Sequence, residues 1–224
     1  MMTPEQTRLR ERLGELTPEE FHRIATEVEL GEWRAVNKFC GKCGTAMVPH
    51  ADPNEHAFTC PACGYLAYPK ISPAVIVLVT KGRQILLQRN SHYRVANWTL
   101  VAGFVDPGEN FEEAVRREAR EEASIKLTNI RYARSQAWPF PSNIMVGFRA
   151  EWAGGDLTPD GEEVIESAWF DVDHLPAIPR AGSIARKLID DWIAEQSPNR
   201  TIEQSNIRTI SQSNNQNNRT IEKS

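Results

Sequence analysis

The stretch from residue 103 to 125, GFVDPGENFEEAVRREAREEASI, constrains the fold of this chain more than any other segment. It opens with a turn-rich loop, FVDPGE, and Asn110 and Glu113 then have the spacing of a helix capping box. Glu, Ala, Val and Arg dominate residues 111–123, and no Gly or Pro interrupts them. The sequence therefore predicts a loop followed directly by a helix.

The predicted helix has an acidic face. Glu118, Glu121 and Glu122 are three and four residues apart, so their carboxylates project from the same side. Carboxylates crowded in this way repel one another, and a divalent cation that prefers oxygen ligands, such as Mg²⁺ or Mn²⁺, relieves the repulsion. The alternative is a solvated surface helix whose acidic groups are partly neutralised by neighbouring arginines.

The spacing within this stretch resembles the Nudix box, the signature of a family that hydrolyses nucleoside diphosphates linked to a second moiety. Gly103 is followed after five residues by Glu109, and after seven more by REAREE at residues 117–122. Ile125 matches the closing aliphatic residue, but Ser124 stands where the pattern has Gly. Because that Gly closes the helix in a left-handed conformation, we expect Ser124 to strain or shift the turn.

Composition places the chain among soluble globular proteins, with 40% hydrophobic and 25% charged residues. A length of 224 residues allows one medium domain and a small module, and the net charge of −4 gives no strong basic field for nucleic acid. No apolar run approaches the about 18 residues of a membrane span. The N-terminus, MMTPEQTRLRERLGEL, is too polar for a secretory signal. We therefore expect a reducing, cytoplasmic setting.

All four cysteines lie in two short pairs, Cys40 with Cys43 and Cys60 with Cys63, each pair followed by Gly. This spacing indicates a zinc ribbon, in which two tight turns present four thiolates to one tetrahedral Zn²⁺. Four thiolates leave no open coordination position, so the predicted zinc is structural. The alternatives are two disulfides or free thiols, and disulfides are rare in a reducing compartment.

The motifs divide the chain into four segments. Two capped helices at residues 4–13 and 18–30 form a short N-terminal segment. A change of composition to Asn, Ser, Gln and Thr predicts a disordered tail that cannot bury enough apolar surface to fold. The predicted segments are 1–37 (helical), 38–69 (zinc ribbon), 70–195 (hydrolase domain) and 196–224 (tail).

Within the third segment the pattern alternates between extended and helical stretches. A hairpin is predicted where a short turn at residues 81–82 separates two extended stretches, 74–80 and 84–88. The predicted strands are 74–80, 84–88, 98–101, 131–136, 144–152 and 167–172, with a polar loop at 89–97 and a last helix at 181–195.

A run of aromatic residues and prolines, SQAWPFPSN at residues 135–143, follows one of these strands. Its prolines fix a rigid extended backbone that cannot join a central strand. Rigid aromatic rings near a metal site suit stacking against a base or a nicotinamide ring. The alternative is a stiff connection whose Trp138 and Phe140 fill the core.

The order of zinc ribbon, YPKISPAVI, Nudix box and SQAWPFPSN resembles the NADH pyrophosphatase branch of the family, which includes the bacterial NAD-capped RNA hydrolases. The resemblance implies an α/β fold of the α+β Nudix type, a mixed β-sheet between helices, preceded by the ribbon. It implies hydrolysis of NAD(H) to nicotinamide mononucleotide and AMP, removal of NAD caps from RNA in some members, and a homodimer.

The resemblance also assigns roles to residues. Two or three Mg²⁺ or Mn²⁺ ions would screen the pyrophosphate and activate water, with Glu121 or Glu122 as base. Arg117 would orient a carboxylate, for which Glu109 is a candidate, and would not touch substrate. Gly103 supports this arrangement. The implied metal ligands are Ala102 (through its carbonyl), Glu118, Glu121, Glu122 and Glu163. The implied substrate contacts are Tyr68, Gln136, Ala137, Trp138, Pro139, Phe140, Pro141, Ser142, Asn143 and Ala185.

Two further functions stay open. Ala137 and Asn143 replace a Pro and a Ser of the branch motif, which leaves room for another dinucleotide such as FAD or ADP-ribose. A catalytically silent binding module is the other alternative. The complete set of Glu118, Glu121 and Glu122 argues against it, because a silent domain need not retain these acids.

Overall fold

The computed structural model describes residues 2–91 and 98–196. The predicted disordered tail lies outside the described residues, apart from Gln196, which ends the last helix. Most of the predicted polar loop, residues 92–97, also lies outside them.

The N-terminal segment contains two helices, α1 (Pro4–Glu11) and α2 (Pro18–Val36), and both begin with the predicted capping boxes. The predicted end of the second helix at residue 30, before Gly31, is wrong, because α2 continues to Val36. The cost of a Gly in a helix, about 1 kcal/mol, is offset by tertiary packing. Trp33, two residues later, stacks on Phe58 with ring centroids 4.7 Å apart.

The cysteine segment forms a three-stranded antiparallel sheet of very short strands, which packs against α2 through the same Trp33. Its strands are β1 (Val48–Pro49), β2 (Phe58–Thr59) and β3 (Leu66–Ala67).

The central sheet is mixed, as predicted. Its strand order is β7-β8-β4-β5-β9, with β6 paired to β4. β4 and β8 are parallel, and the other pairs are antiparallel. The strands are β4 (Ser72–Lys81), β5 (Gln84–Asn90), β6 (Val101–Phe104), β7 (Lys126–Trp138), β8 (Asn143–Gly154) and β9 (Val164–Asp171).

Helices α3 (Phe111–Ala123) and α4 (Ile184–Gln196) cover opposite faces of this sheet. Strand β4 alternates between them: Val75 and Val77 pack in the core under α3, and Ile76 packs in the core under α4. The predicted sheet between helices is confirmed. Among the described residues, no helix has the length and apolar character needed to cross a bilayer.

The aromatic and proline run lies at the edge of this sheet. Strand β7 is terminal and extends to Trp138, which pairs with Asn143 of β8. The chain turns between these two residues, so the prolines avoid the central strands, as expected.

Candidate active site

Arg117 connects the loop after β6 to helix α3. Its Nε and Nη2 donate to the two carboxylate oxygens of Glu109 at 2.7 and 2.8 Å. Its Nη1 donates to Glu118 at 2.6 Å and to Glu121 at 3.1 Å, and its Nη2 also donates to the Phe104 carbonyl at 2.7 Å. The hydrogen bonds from Arg117 lower the pKa of Glu109 to about 2. The guanidinium group therefore holds both loop and helix in one arrangement.

Gly103 allows the Glu118 carboxylate to approach the backbone of β6. A Cβ atom added at Gly103 would overlap that carboxylate. The residue pairs with Val75 in the sheet, so its backbone cannot easily move away. A side chain here is excluded by the acid itself, which gives this Gly a steric role in the site.

We expect Gly103→Ala to lower catalytic turnover about a hundredfold, because a displacement of about 1 Å of a catalytic group costs that much. Steady-state kinetics of the purified variant measures the loss. Gly31→Ala is the matched control, since nothing lies within 4 Å of a Cβ atom added there. Equal activity of the two variants would contradict a role for close packing against Glu118.

Two carboxylates of the cluster are buried. Glu118 is 8% exposed and Glu122 is 6% exposed. Burial raises the pKa of Glu118, and burial together with the charge of Glu118 raises the pKa of Glu122 to about 8. Keeping two such acids ionised at neutral pH is unfavourable without a positive charge beside them. The donor set, all oxygen and strongly anionic, fits Mg²⁺ or Mn²⁺.

The other predicted metal ligands lie near these two acids. Glu163 is exposed, and its charge contributes to the raised pKa of both Glu118 and Glu122. Asp160 stabilises the loop that carries Glu163, since one Asp160 carboxylate oxygen accepts the Glu163 N–H at 3.0 Å. Ala102 lies in β6 beside Gly103, and a backbone hydrogen bond from Ala102 to Glu122 partly opposes the rise in pKa of that acid. Glu121 is mostly exposed at 58% of its side chain.

Helix α3 ends at Ser124 in a left-handed conformation, with φ 57° and ψ 28°. The turn therefore has the left-handed geometry that a Gly would adopt without strain. Ser124 adopts it with the backbone strain that its Cβ atom brings, as expected. Its N–H closes the helix by donating to the Arg120 carbonyl at 3.0 Å.

We expect Ser124→Gly to raise the free energy of unfolding by about 1 kcal/mol, because a Cβ atom in the left-handed region costs about 1–2 kcal/mol. Urea unfolding followed by circular dichroism measures it. Ser124→Ala keeps the Cβ atom and is expected to bring no gain. If both variants change stability equally, backbone strain is not the reason.

A cavity of about 700 Å³ adjoins the acidic cluster. It reaches from Glu122 and Ala102 across the end of the sheet to the start of α4. Four of the predicted substrate contacts line it: Trp138, Phe140, Asn143 and Ala185. The cavity therefore brings together Glu122 of the acidic helix and the run of aromatic residues and prolines, which begins 13 residues later at Ser135.

The aromatic rings have two roles. Phe140 is 8% exposed and packs with Leu9 and Ala25 of the N-terminal helices. It also meets Trp138 edge to face, with centroids 5.0 Å apart, and both rings line the cavity. The rings therefore fill part of the core, as one of the two interpretations expects, and they also line the cavity.

The remaining predicted substrate residues do not line this cavity. Gln136 donates to the Gly182 carbonyl at 2.9 Å, and Ser142 donates to the Lys70 carbonyl at 3.1 Å. Pro141 accepts through its carbonyl from Gln6 at 3.1 Å. Tyr68 is 52% exposed. Ala137 and Pro139 are likewise absent from the lining.

Several cavity residues were not identified from the sequence. Gln88 of β5 is 2% exposed, and its amide donates to the main-chain oxygen of Glu122 at 3.3 Å. Phe104 presents an exposed ring at the cavity, and Arg180 lines it from the loop before α4. Residues around α1 form a further wall: Met2, Thr7, Arg10, Glu11 and Leu13.

The four cysteines form a second, separate site. The Sγ atoms of Cys40 and Cys63 are 3.7 Å apart, those of Cys43 and Cys60 are 3.5 Å apart, and all four lie within 4.8 Å of one another. Disulfides are excluded by these distances. Tetrahedral zinc with Zn–S bonds of about 2.3 Å separates sulfur atoms by about 3.8 Å. The cluster therefore fits one zinc ion.

Two equivalent turns produce this geometry. The Gly44 N–H donates to the Cys40 carbonyl at 2.8 Å, and the Gly64 N–H donates to the Cys60 carbonyl at 3.0 Å. Both glycines have positive φ, at 77° and 69°, which explains why Gly follows each cysteine pair.

Comparison with known proteins agrees with the family resemblance of the sequence motifs. The model of the NUDIX domain matches residues 70–192. A protein of Stutzerimonas stutzeri named NAD-capped RNA hydrolase NudC is 42% identical over 188 residues, which cover 84% of this chain and 67% of the relative. A protein of the same name from Chromobacterium violaceum is 45% identical over 165 residues, covering 74% of this chain and 62% of the relative. The chain thus spans only about two thirds of the length of these relatives.

Among solved structures, a NUDIX hydrolase from Nitrosomonas europaea superposes with a TM-score of 0.58 at 24% identity. The match covers 71% of this chain and 92% of that one. At this identity the likeness concerns the fold.

Proposed function

We propose, from the premise that this chain belongs to the NUDIX family, that it hydrolyses the pyrophosphate bond of NAD(H) to nicotinamide mononucleotide and AMP. The observation that carries the proposal is the cavity that joins buried Glu122 to Trp138, Phe140 and Ala185. A dinucleotide needs both halves of such a site: an acidic end for its pyrophosphate and an apolar, aromatic end for a ring.

Removal of NAD caps from RNA is part of the proposal. The relatives from Stutzerimonas stutzeri and Chromobacterium violaceum are named NAD-capped RNA hydrolases and share 42 and 45% of their aligned residues with this chain. The capped RNA end and free NAD present the same pyrophosphate, so one acidic cluster can serve both.

The acids of α3 would hold the divalent cations. Glu118, Glu121, Glu122 and Glu163, with the Ala102 carbonyl, supply oxygen ligands, and Mg²⁺ or Mn²⁺ bound there would screen the phosphate charge and lower the pKa of water. Arg117 keeps Glu109, Glu118 and Glu121 in place through its hydrogen bonds. Either Glu121 or Glu122 takes the proton from the attacking water.

The remaining features of the proposal concern the whole protein. One structural zinc ion in the four-cysteine cluster is supported by the sulfur distances. A homodimer and a cytoplasmic location are supported by the family resemblance. Size-exclusion chromatography with light scattering tests the first, and a dimer mass near twice 25.3 kDa is expected.

The test is to incubate the purified protein and Mn²⁺ with NADH, FAD and ADP-ribose and to resolve the products by chromatography. We expect nicotinamide mononucleotide and AMP from NADH at the highest kcat/KM. Faster turnover of FAD or ADP-ribose would favour the alternative dinucleotides. No turnover of any substrate in the presence of metal would favour a binding module.

A further inference from the structure

The lining of the cavity includes basic residues as well as the acidic Glu122. Arg180, in the loop before α4, and Arg10, on α1, both line it. Glu11 is the one acidic residue of α1 in the lining, so the α1 and α4 side carries more positive than negative charge. The start of α4 is also there, at Ser183 and Ile184, and its dipole adds partial positive charge.

The backbone of Arg180 is held firmly although its side chain is exposed. Its carbonyl accepts the Ser183 hydroxyl at 2.9 Å, and the Ser183 hydroxyl in turn accepts the Arg186 N–H at 3.3 Å. A Cβ atom added at Gly182 would overlap the Leu13 carbonyl, so this loop and the turn after α1 are in close contact. The two arginines therefore belong to one packed wall.

The guanidinium group of Arg180 has no ion-pair or hydrogen-bond partner in the parts of the chain that the structure describes. Most of the other arginines with described side chains in this domain are paired, such as Arg89 with Glu166 at 2.8 Å and Arg186 with Asp190 at 2.8 Å. An unpaired guanidinium that lines a cavity is available for a bidentate hydrogen bond to phosphate.

We infer that Arg180, assisted by Arg10, binds a third phosphate on the substrate, one esterified to a ribose hydroxyl. The inference rests on the proposed function, in which the pyrophosphate occupies the acidic end with its cations. NADH has no phosphate besides its pyrophosphate. NADPH carries a third phosphate on a ribose 2′-oxygen, and an NAD-capped RNA carries one on a ribose 3′-oxygen. The shared chemistry is a phosphate ester on the adenosine ribose.

The first experiment measures binding alone. Calorimetric titration compares AMP, adenosine 2′,5′-bisphosphate and adenosine 3′,5′-bisphosphate at constant salt, in the wild type, Arg180→Ala and Arg12→Ala. Arg12 has the same charge and follows α1, but it does not line the cavity. We expect one bisphosphate to bind about tenfold more tightly than AMP, as for one charge-assisted hydrogen-bond pair. Arg180→Ala should remove this advantage and Arg12→Ala should keep it.

The position of the extra phosphate identifies the source. A preference for the 2′-phosphate indicates NADPH, and a preference for the 3′-phosphate indicates the RNA chain. Equal affinity of all three ligands in the wild type would overturn the inference. So would an equal loss for all three in Arg180→Ala, because the arginine would then contact the phosphate that they share.

A second measurement links binding to turnover. The ratio of kcat/KM for the phosphorylated substrate to that for NADH is expected to fall about tenfold in Arg180→Ala. An unchanged ratio would overturn the inference. Absence of any turnover in the wild type would refute the proposed function and leave the binding comparison to decide on the phosphate site.

Discussion

Replacing Glu122 by Gln is expected to lower kcat/KM for NADH by about a thousandfold or more. The change removes one anionic ligand and one candidate base from the buried cluster, and loss of a single electrostatic contributor to a transition state costs about a hundred- to a thousandfold. Product formation with saturating Mn²⁺, followed by chromatography, measures the loss. Titration of Mn²⁺ monitored by electron paramagnetic resonance should show weaker metal binding in the same variant.

Loss of activity must be separated from loss of folding. Glu122 is 6% exposed and its pKa is raised to about 8, so a neutral amide should be easier to bury than the carboxylate. The metal-free variant is therefore expected to melt no lower than the wild type. Glu112→Gln, an exposed acid in the first turn of the same helix, is the matched control and should keep its activity. Full activity of Glu122→Gln would refute the metal assignment.

Replacing Cys60 by Ser should abolish stoichiometric zinc and unfold the segment from residue 38 to 69. The three strands of this segment have two residues each, and all of these residues are exposed or half-buried. Zinc in such modules supplies about 10 kcal/mol or more of folding free energy. Zinc content by mass spectrometry and amide exchange of the ribbon measure the outcome. Loss of the Trp33–Phe58 stack should also loosen the end of α2.

The control for this variant is His50→Ala. The four sulfur atoms already complete a tetrahedron, and His50 accepts the Asp52 N–H through Nδ1 at 3.2 Å. The control should therefore retain zinc. The sheet between α3 and α4 has its own two cores and should remain folded in both variants. Protected ribbon amides in zinc-free Cys60→Ser would contradict the structural role of the metal.

Features that depend on neighbouring residues were predictable from the sequence. The capping box of Asn110 and Glu113 forms with hydrogen bonds of 2.8 and 2.9 Å. The three acids of α3 share a face because the helical repeat dictates it. The turns at the two cysteine pairs likewise depend on the adjacent glycines, Gly44 and Gly64, which supply the positive φ. In each case the physical cause lies within a few residues of the effect.

Features that depend on distant segments were not predictable in this way. Gln88 reaches Glu122, 34 residues away, and nothing in the local pattern of β5 distinguishes it from a strand residue at the surface. Arg180 stands in an ordinary loop, and it lines the cavity together with residues from distant segments of the chain, including α1. The continuation of α2 beyond Gly31 has the same kind of cause, since the stack on Phe58 outweighs local helix propensity.

Gln6 of α1 is 1% exposed and donates to the carbonyl of Pro141, which lies 135 residues further along the chain. During translation at about 5–20 residues per second, α1 must therefore wait roughly 7 to 27 seconds for this partner. Throughout that interval Leu9 and Leu13 lack Trp138 and Phe140, which belong to the same apolar cluster in the folded protein. Helix α1 thus reaches its final contacts late, and the cavity that it lines is complete only after α4 has been made.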